Sequence, residues 1–189
     1  MSWSKLKQQL ESFLSPALAG RVEYRAPAYR YLHDKSGTCY IAVDKKNVLN
    51  MSDKTNGIRW YLSELEIKND PTIHFPISND DIEAVRKETK GTVPEDRLIV
   101  IARNRKSTEL AKELMAAQAA LSKSNFIAEA NKFLTTSIEK SLESDEILMN
   151  VFALLDKRVG KKRILGMAEK MESKHPIVRY FYGLRRGAL

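Results

Sequence analysis

The segment CYIAVDKKNVLNMS, residues 39–52, decides the fold class of this chain. Its first six residues are rich in β-branched and aromatic side chains, which is typical of a β-strand. VLNMS follows after only Lys45-Lys46-Asn47, a connection of the length that joins two strands in a tight hairpin. The segment therefore predicts a pair of antiparallel strands.

The residues before this hairpin predict the rest of a small sheet and a helix packed on it. VEYR (22–25) and YRYL (29–32) are short and rich in aromatic or β-branched residues, so each predicts a strand. Residues 4–14 predict a helix with one apolar stripe, and Ser15-Pro16 ends it. We therefore expect three or four antiparallel strands with one helix against a face of the sheet.

The middle of the chain predicts two helices joined by an irregular crossing. Residues 57–68 predict a short helix. Its apolar side contains Ile58, Tyr61, Leu62 and Leu65. Pro71 and Pro76 mark the crossing, and Ser78 begins a second helix that ends at Gly91.

The second half of the chain predicts helices throughout. A proline and two acids at 94–96 begin a helix to about Arg105, although a strand is the competing interpretation of LIVIA (98–102). The helices predicted after it begin at about Ser107, Ser124, Ser144, Lys161 and Pro176.

The predicted fold class is α+β. We expect an N-terminal helix with a small antiparallel sheet over residues 1–77, followed by an all-helical bundle over residues 78–189. The bundle is expected to pack against the sheet, because neither part alone has a generous apolar core.

The positive charge of the chain is concentrated near its C-terminus. The net charge is +8 over 189 residues, and from Leu154 onward ten Lys or Arg stand against three acids, a net +7. Such a surface suits an acidic protein, a small anion or, less favoured here, nucleic acid. It also suits an ordinary solvated helical face, which is the favoured interpretation at this point. No apolar run approaches the ~20 residues that cross a membrane. With a single cysteine and no secretory leader pattern, we expect a cytoplasmic protein.

Motifs for nucleotide, metal or acyl chemistry are missing from the sequence. There is no GxGxxG, no GxxxxGK[ST] and no GxSxG. His33, His74 and His175 lie far apart without metal-ligand spacing, so we expect neither a metal nor a cofactor. We interpret His74 as a packing residue and His175 as the residue at which a helix begins.

Cys39 has two interpretations, of which the core is favoured. It could act as a nucleophile with His33 as its base. Strand alternation instead places Cys39 on the face of Ile41 and Val43, where a buried thiol is poorly ionised.

Two further patterns are also explained better by folding than by function. RVEYRAPAYRY (21–31) interleaves arginine and tyrosine and could clamp RNA, but cross-strand pairs of these residues stabilise any small sheet. The acid pairs Asp80-Asp81 and Glu95-Asp96 are expected in first helical turns, where they offset the macrodipole rather than perform acid–base catalysis.

The segment LLDKRVGKKRIL (154–165) carries the candidate anion-binding residues. These are Lys157, Arg158, Lys161, Lys162 and Arg163. Lys157 and Arg158 are expected in the last turn of one helix, which Gly160 closes with a left-handed conformation. The five apolar side chains of the segment are expected to bury the joint.

The other three cations are expected in the first turn of the next helix, where the dipole disfavours positive charge. Lys161, Lys162 and Arg163 therefore predict an anion at this helix start. A carboxylate of the same chain, either Asp156 or an acid from elsewhere in the chain, is the favoured explanation, ahead of a small phosphate ligand or a nucleic-acid phosphate.

Two long stretches resemble a family of uncharacterised bacterial proteins. The first is MSWSKLKQQLESFLSPALAGRVEYRAPAYRYLHDKSGTCYIAVDKKNVLNMSD at the start, and the second is the helical region with LLDKRVGKKRI and HPIVRYFYGLR. LLDKRVGKKRI is the most specific part of the match. The family has no assigned activity, cofactor or catalytic residue, so the resemblance implies a bacterial cytoplasmic protein and no particular site.

Two functions remain open at this point. The first is a non-enzymatic bacterial interaction protein that presents a basic C-terminal face to an acidic partner. The second is an enzyme that acts on a phosphorylated or carboxylated small molecule in a cleft between sheet and bundle. The sequence assigns no catalytic residue to it.

Overall fold

The computed structural model describes residues 2–27, 36–70, 73, 76–117 and 119–189, except for the side chains of Lys68, Ala116 and Ala117. Close packing divides the chain into two compact units. The sheet unit comprises Met1–Asn56 and Ala119–Leu189, and the inserted unit comprises Gly57–Gln118. The division at residue 77 that the sequence predicts cuts the chain elsewhere and stays a prediction.

The sheet unit contains an antiparallel sheet with three strands in its described residues. They are β1 Val22–Arg25, β2 Thr38–Val43 and β3 Lys46–Ser52, in the order β1-β2-β3. The hairpin turns at Asp44 and Lys45, whose φ angles of 47° and 66° suit a two-residue turn between twisted strands. The turn therefore comes earlier than the predicted Lys45-Lys46-Asn47. The predicted strand YRYL (29–32) lies outside the described residues.

Helices make up most of the rest of the chain. In order they are α1 Trp3–Phe13, α2 Asp53–Asn69, α3 Asn79–Glu88, α4 Glu95–Ala117, α5 Lys123–Thr135, α6 Ile138–Glu143, α7 Ile147–Leu155, α8 Lys161–Leu165, α9 Ala168–Glu172 and α10 Pro176–Gly187. A 3₁₀ turn, Pro16–Leu18, follows α1. An N-terminal helix, a small antiparallel sheet and then mostly helices confirm the predicted α+β class.

One continuous apolar core fills the sheet unit. It joins α1, all three strands and the helices from α5 to α10. Phe152 of α7 lies at its centre, with ring centroids 6.0 Å from Tyr24, 5.6 Å from Phe126 and 5.4 Å from Phe133. Tyr24 comes from β1, Phe126 and Phe133 come from α5, and Phe152 comes from α7. This aromatic cluster therefore connects the sheet to two helices.

The inserted unit has a much smaller core. α3 packs against α4 through buried Val85, Leu98 and Ala102. Ser78 caps α3 by accepting from the backbone N–H of Asp81, and Gly91 follows the helix with a φ of 69°. Both ends of α3 were predicted. LIVIA (98–102) is helical, so the strand interpretation of this run is wrong.

Several helices differ from the sequence prediction. α4 continues through Ser107, where a break was predicted, because neither glycine nor proline interrupts its hydrogen bonds. The helix predicted over 161–174 is two short helices, since Gly166 ends α8. α6, which Ser137 caps by accepting from the N–H of Lys140, was not predicted at all.

None of the helices described is both long and apolar enough to span a bilayer.

Candidate anion-binding surface

The segment 154–165 forms a turn that is fastened to the end of α1. α7 ends at Leu155, and Asp156 continues in an extended conformation that makes an isolated bridge with Leu14. The N–H of Ser15 donates to the carbonyl of Leu155 at 2.8 Å, and the N–H of Lys157 donates to the carbonyl of Phe13 at 2.8 Å. These two bonds replace further helical bonds, so α7 stops earlier than predicted.

Two structural expectations for this turn are wrong, and a third holds only in part. Lys157 and Arg158 lie after the helix rather than in its last turn. Gly160 is not left-handed, because its φ is −73° and its ψ is 166°. It begins α8 instead of closing α7. Val159 and Ile164 are buried as expected, but Leu165 is exposed.

Arg158 is held by a buried carboxylate. Its Nη2 donates to Oδ2 of Asp156 at 2.8 Å, and the Asp156 side chain has no exposed surface. The guanidinium carbon also lies 4.4 Å from the centroid of the Phe13 ring, within the range of a cation–π contact. The hydrogen bond to Asp156 raises the pKa of Arg158 above its ordinary value. Arg158 is thus already paired with a carboxylate of the same chain.

Lys157 and Arg163 also have partners in the chain. The Lys157 ammonium donates to the carbonyl of Ser12 at 2.8 Å, where a cation complements the C-terminal end of α1. Nη1 of Arg163 lies 2.9 Å from Oε1 of Glu139, and the hydrogen bond from Arg163 lowers the pKa of that carboxyl. A carboxylate of the same chain therefore accounts for Arg163, as the sequence predicted.

Lys161 and Lys162 differ from the other three. Both are exposed, and the part of the chain that the structure describes offers neither of them a side-chain hydrogen bond or an ion pair. The favoured explanation, a carboxylate of the same chain, does not hold for these two lysines. The structure thus separates the five candidates into three held cations and two free ones, and whether they bind an external anion stays a prediction.

A buried arginine beneath the turn was missed by the sequence reasoning. Arg185 of α10 is 5% exposed, and its Nη2 donates to the carbonyl of Val159 at 3.1 Å. Burial lowers its pKa, and the nearby Asp156 carboxylate opposes that effect. Arg185 continues the buried stripe of Val178, Phe181 and Tyr182 at helical spacing, and this periodicity was the available signal.

Cys39 is a core residue, as the favoured interpretation predicted. Its side chain is fully buried, and burial raises the pKa of the thiol to about 12. At neutral pH almost none of a thiol with this pKa is ionised to thiolate, which argues against a role of Cys39 as a nucleophile. His33 and His74 lie outside the described residues. His175 receives the N–H of Ile177 at the start of α10, which confirms its predicted place at a helix entry.

The arginine–tyrosine segment packs as a sheet in its described part. Tyr24 is buried in the aromatic core. Arg25 pairs with Glu23 at 2.6 Å, and its guanidinium carbon lies 5.9 Å from the centroid of Tyr40 on the neighbouring strand. Over residues 21–25 the predicted cross-strand packing is confirmed. Residues 28–31 lie outside the described part of the chain.

The two acid pairs serve helix starts. Asp81 accepts from the N–H of Ser78 and lies 2.7 Å from Nζ of Lys106, and the hydrogen bonds from Lys106 and Ser78 lower its pKa to about 2. Glu95 begins α4 and lies 2.7 Å from Arg86. These contacts confirm the structural interpretation of both pairs.

The inserted unit contains an open cleft of about 770 Å³. It is lined by Glu64, Ile67, Asp70, Ile73, Arg103, Asn104, Ser107 and Thr108. Within the residues described, no three His, Cys, Asp or Glu side chains are grouped as metal ligands would be. Most of the lining side chains are polar, so the cleft is a second place where a small polar molecule would fit.

Comparison with known proteins gives one match, which covers nearly the whole chain. The model of the SF0329 protein family matches residues 2–186. No curated protein and no solved structure matches. The match includes both stretches on which the sequence resemblance rested, together with the segment between them. The chain therefore belongs to the SF0329 protein family, a family of uncharacterised proteins.

Proposed function

We propose that this chain is a non-enzymatic interaction protein of the bacterial cytoplasm whose basic C-terminal residues bind an acidic partner. The supporting observation is a set of exposed cations that have no side-chain partner among the described residues. They are Lys161, Lys162, Lys170, Arg179 and Arg186. They make up half of the ten cations that follow Leu154.

Cations without partners favour an external anion for an electrostatic reason. An exposed ion pair within the chain stabilises it little, whereas several uncompensated charges of one sign attract a charged partner over a distance of about 10 Å at moderate salt. The two acids that remain in this region apart from buried Asp156 are Glu169 and Glu172, and neither forms an ion pair with a described residue. The local charge therefore stays strongly positive.

An acidic protein is preferred over nucleic acid because the positive charge is confined to one region. Residues 1–153 carry a net charge of only about +1, which is the difference between the whole chain at +8 and the C-terminal part at +7. A nucleic-acid duplex would extend beyond a small basic region and would gain few further phosphate contacts. A short acidic segment of a protein needs no larger surface.

The test is binding of a short fluorescein-labelled poly-glutamate peptide, followed by fluorescence anisotropy at low ionic strength. We expect Lys161→Gln/Lys162→Gln to weaken binding about tenfold, since each uncompensated charge contributes to attraction. Lys5→Gln/Lys46→Gln is the matched control, because these lysines are also exposed and form no salt bridge with a described residue. Equal losses in both variants, or tighter binding to DNA of equal charge, would argue against the proposal.

The alternative is an enzyme that acts on a phosphorylated or carboxylated small molecule, and the cleft of the inserted unit favours it. Among the described residues that line this cleft, Arg103 is the cation. Thermal unfolding with a panel of phosphorylated and carboxylated metabolites tests this alternative. A ligand that stabilises the wild type but not Arg103→Gln would support the enzyme, and a panel without effect on the wild type would count against it.

A further inference from the structure

Helix α2 and the residue after it bring two carboxyl groups to the cleft of the inserted unit. Glu64 and Ile67 of α2 line this cleft, and so does Asp70, which directly follows the helix. The apolar side of α2 is exposed instead, with exposed fractions of 63% for Tyr61 and 53% for Leu62. A helix usually turns its apolar side inward, so α2 is oriented unlike an ordinary packing helix. Its charged side chains therefore reach the cleft.

Helix α4 lines the same cleft with a cation and three neutral polar groups. Arg103, Asn104, Ser107 and Thr108 form two pairs separated by four residues, so they lie side by side on one face of the helix. A guanidinium, an amide and two hydroxyls can all donate hydrogen bonds. This face of α4 therefore suits a carboxylate, which accepts such bonds on both of its oxygens.

Glu64 and Arg103 share the cleft without pairing with each other. Neither forms an ion pair or a side-chain hydrogen bond with a residue that the structure describes. Because α2 ends at Asn69, the negative end of its dipole lies next to Asp70 and adds to the negative charge on the α2 side. The cleft thus offers a negative side from α2 and a positive group from α4, and each can attract a group of opposite charge.

We propose that this cleft binds a small zwitterion, a molecule with a primary amine at one end, a carboxylate at the other and an aliphatic chain between them. The ammonium group lies against Glu64 at the end of α2, and the carboxylate accepts hydrogen bonds from Arg103 of α4. Ile67 and Ile73 supply the apolar lining for the chain between the two charges. The volume of about 770 Å³ is in the usual range of small-molecule sites.

The ligand class is narrower than that of the alternative function. This inference rests on the cleft that the alternative function uses, but it requires no reaction there. Among the described lining residues, two carboxyl groups stand against one guanidinium. A carboxylate or phosphate without an amine would be attracted by Arg103 and repelled by the α2 side, whereas a zwitterion is attracted by both. The cleft therefore selects against simple anions.

Isothermal titration calorimetry of the full chain with ε-aminocaproate, hexylamine and caproate tests the proposal, because these three probes share one carbon skeleton. We expect ε-aminocaproate to bind about tenfold more tightly than either singly charged probe, since it alone places a charged hydrogen-bonding group at both ends. Glycine and γ-aminobutyrate carry the same two groups at shorter separations and measure the span of the cleft. If none of the three zwitterions binds, or if caproate or hexylamine binds as tightly as the best of them, the proposal is wrong.

Substitutions at the two ends of the cleft assign the contacts. Glu64→Gln and Arg103→Gln should each weaken binding of the best zwitterion about tenfold. Glu66→Gln and Arg97→Gln are the matched controls, because these exposed residues belong to the same two helices and do not line the cleft. Arg103→Glu should prefer hexamethylenediamine to ε-aminocaproate, since both sides are then negative, and a variant that fails to fold cannot gain a ligand in this way.

Two results with these variants would overturn the proposal. One is a folded Glu64→Gln variant, checked by circular dichroism, that binds the zwitterion as tightly as the wild type does. The other is an Arg103→Glu variant that still prefers the zwitterion to the diamine. Caproate that binds the wild type as tightly as ε-aminocaproate would also overturn it, although the alternative function would then survive. Binding of the poly-glutamate peptide should be the same in Glu64→Gln and in the wild type, so the proposed function is tested separately.

Discussion

The two units of this chain use apolar residues in opposite ways. In the sheet unit, side chains from α1, three strands and six helices join in one core, with Phe152 among three other aromatic rings. In the inserted unit, three residues form a buried cluster, while Ile58, Tyr61, Leu62 and Leu65 of α2 are exposed. The first unit thus buries its apolar side chains against one another, whereas the second leaves four apolar side chains of α2 exposed.

The largest effect is expected from the centre of the sheet unit. Phe152→Ala removes a ring that contacts three others and should reduce the free energy of unfolding by ~3–5 kcal/mol. Val100→Ala, at an exposed position of the inserted unit, should change it by less than ~0.5 kcal/mol. Urea unfolding measures both, with the fluorescence of Trp3 reporting on the sheet unit and that of Trp60 on the inserted unit. Similar losses in the two variants would remove the contrast between the units.

Breaking an ion pair should likewise reduce the free energy of unfolding more in the sheet unit than in the inserted unit. Asp156→Asn removes a fully buried carboxylate from Arg158 and from the neighbourhood of buried Arg185. We expect a loss of about 2–3 kcal/mol, less than for a fully buried pair because Arg158 can turn into water. Glu88→Gln breaks the pair with Arg105 in the inserted unit, where both side chains are exposed.

Thermal unfolding of these two variants should therefore separate them clearly, with Glu88→Gln close to the wild type. If Asp156→Asn were as stable as the wild type, the carboxylate would not hold the turn together, and the bridge between Leu14 and Asp156 would be the sufficient cause of its shape.

The sequence predicted best where local patterns and long-range packing agree. α1, the hairpin and α3 follow from periodicity, turn length and capping, and each of them is close to its predicted bounds. The shape of the turn after α7 did not follow from sequence. Its conformation depends on the bridge between Leu14 and Asp156, which joins residues far apart in the chain. A glycine in the sequence cannot reveal such a contact.

The candidate site was predictable to the same extent. Charge concentration identified the basic segment, and Asp156 was named as a possible partner from the sequence. That Asp156 holds Arg158, and that Glu139 holds Arg163, follows only from the packing of α7, α6 and α8. The outer face of α2 shows the opposite problem. Its spacing predicted an apolar side correctly, and only the structure shows that Ile58 and Leu65 face away from the interior. Periodicity shows which residues share one face of a helix, but it does not show what packs against that face.

Cys39 gives the sheet unit a loss of stability in alkaline solution that no thiol can give the inserted unit, since the chain has no other cysteine. Its pKa rises from 9.0 to about 12 on folding, so above pH 9 the unfolded chain loses a proton that the folded chain keeps. Stability is therefore lost as the pH rises through this window. Between pH 8 and 10 the wild type should lose about 1.4 kcal/mol more than Cys39→Ala.

Urea unfolding of both proteins at the two pH values measures this difference. The ionisation of Tyr24 affects both proteins equally and cancels. Equal losses in the wild type and in Cys39→Ala would mean that the thiol ionises without unfolding, and the core placement of Cys39 would then be wrong.

The smallest expected effect concerns Lys161 and Lys162, the two cations of the turn without a partner among the described residues. Both lie in the first turn of α8, where the helix dipole disfavours positive charge. α8 has only five residues, so Lys161→Ser/Lys162→Ser should stabilise the free protein by about 0.3 kcal/mol per lysine, at the low end of such effects. Lys5→Ser/Lys46→Ser, at exposed positions outside this turn, should leave the stability nearly unchanged.

Thermal unfolding in phosphate and in chloride of the same ionic strength separates the explanations. A destabilised Lys161→Ser/Lys162→Ser variant would mean that a carboxylate of the chain holds these lysines after all. A wild type that gains stability in phosphate alone, with a variant that loses this gain, would make the turn a small-anion site and would move the proposed function from an acidic protein partner to a phosphate ligand.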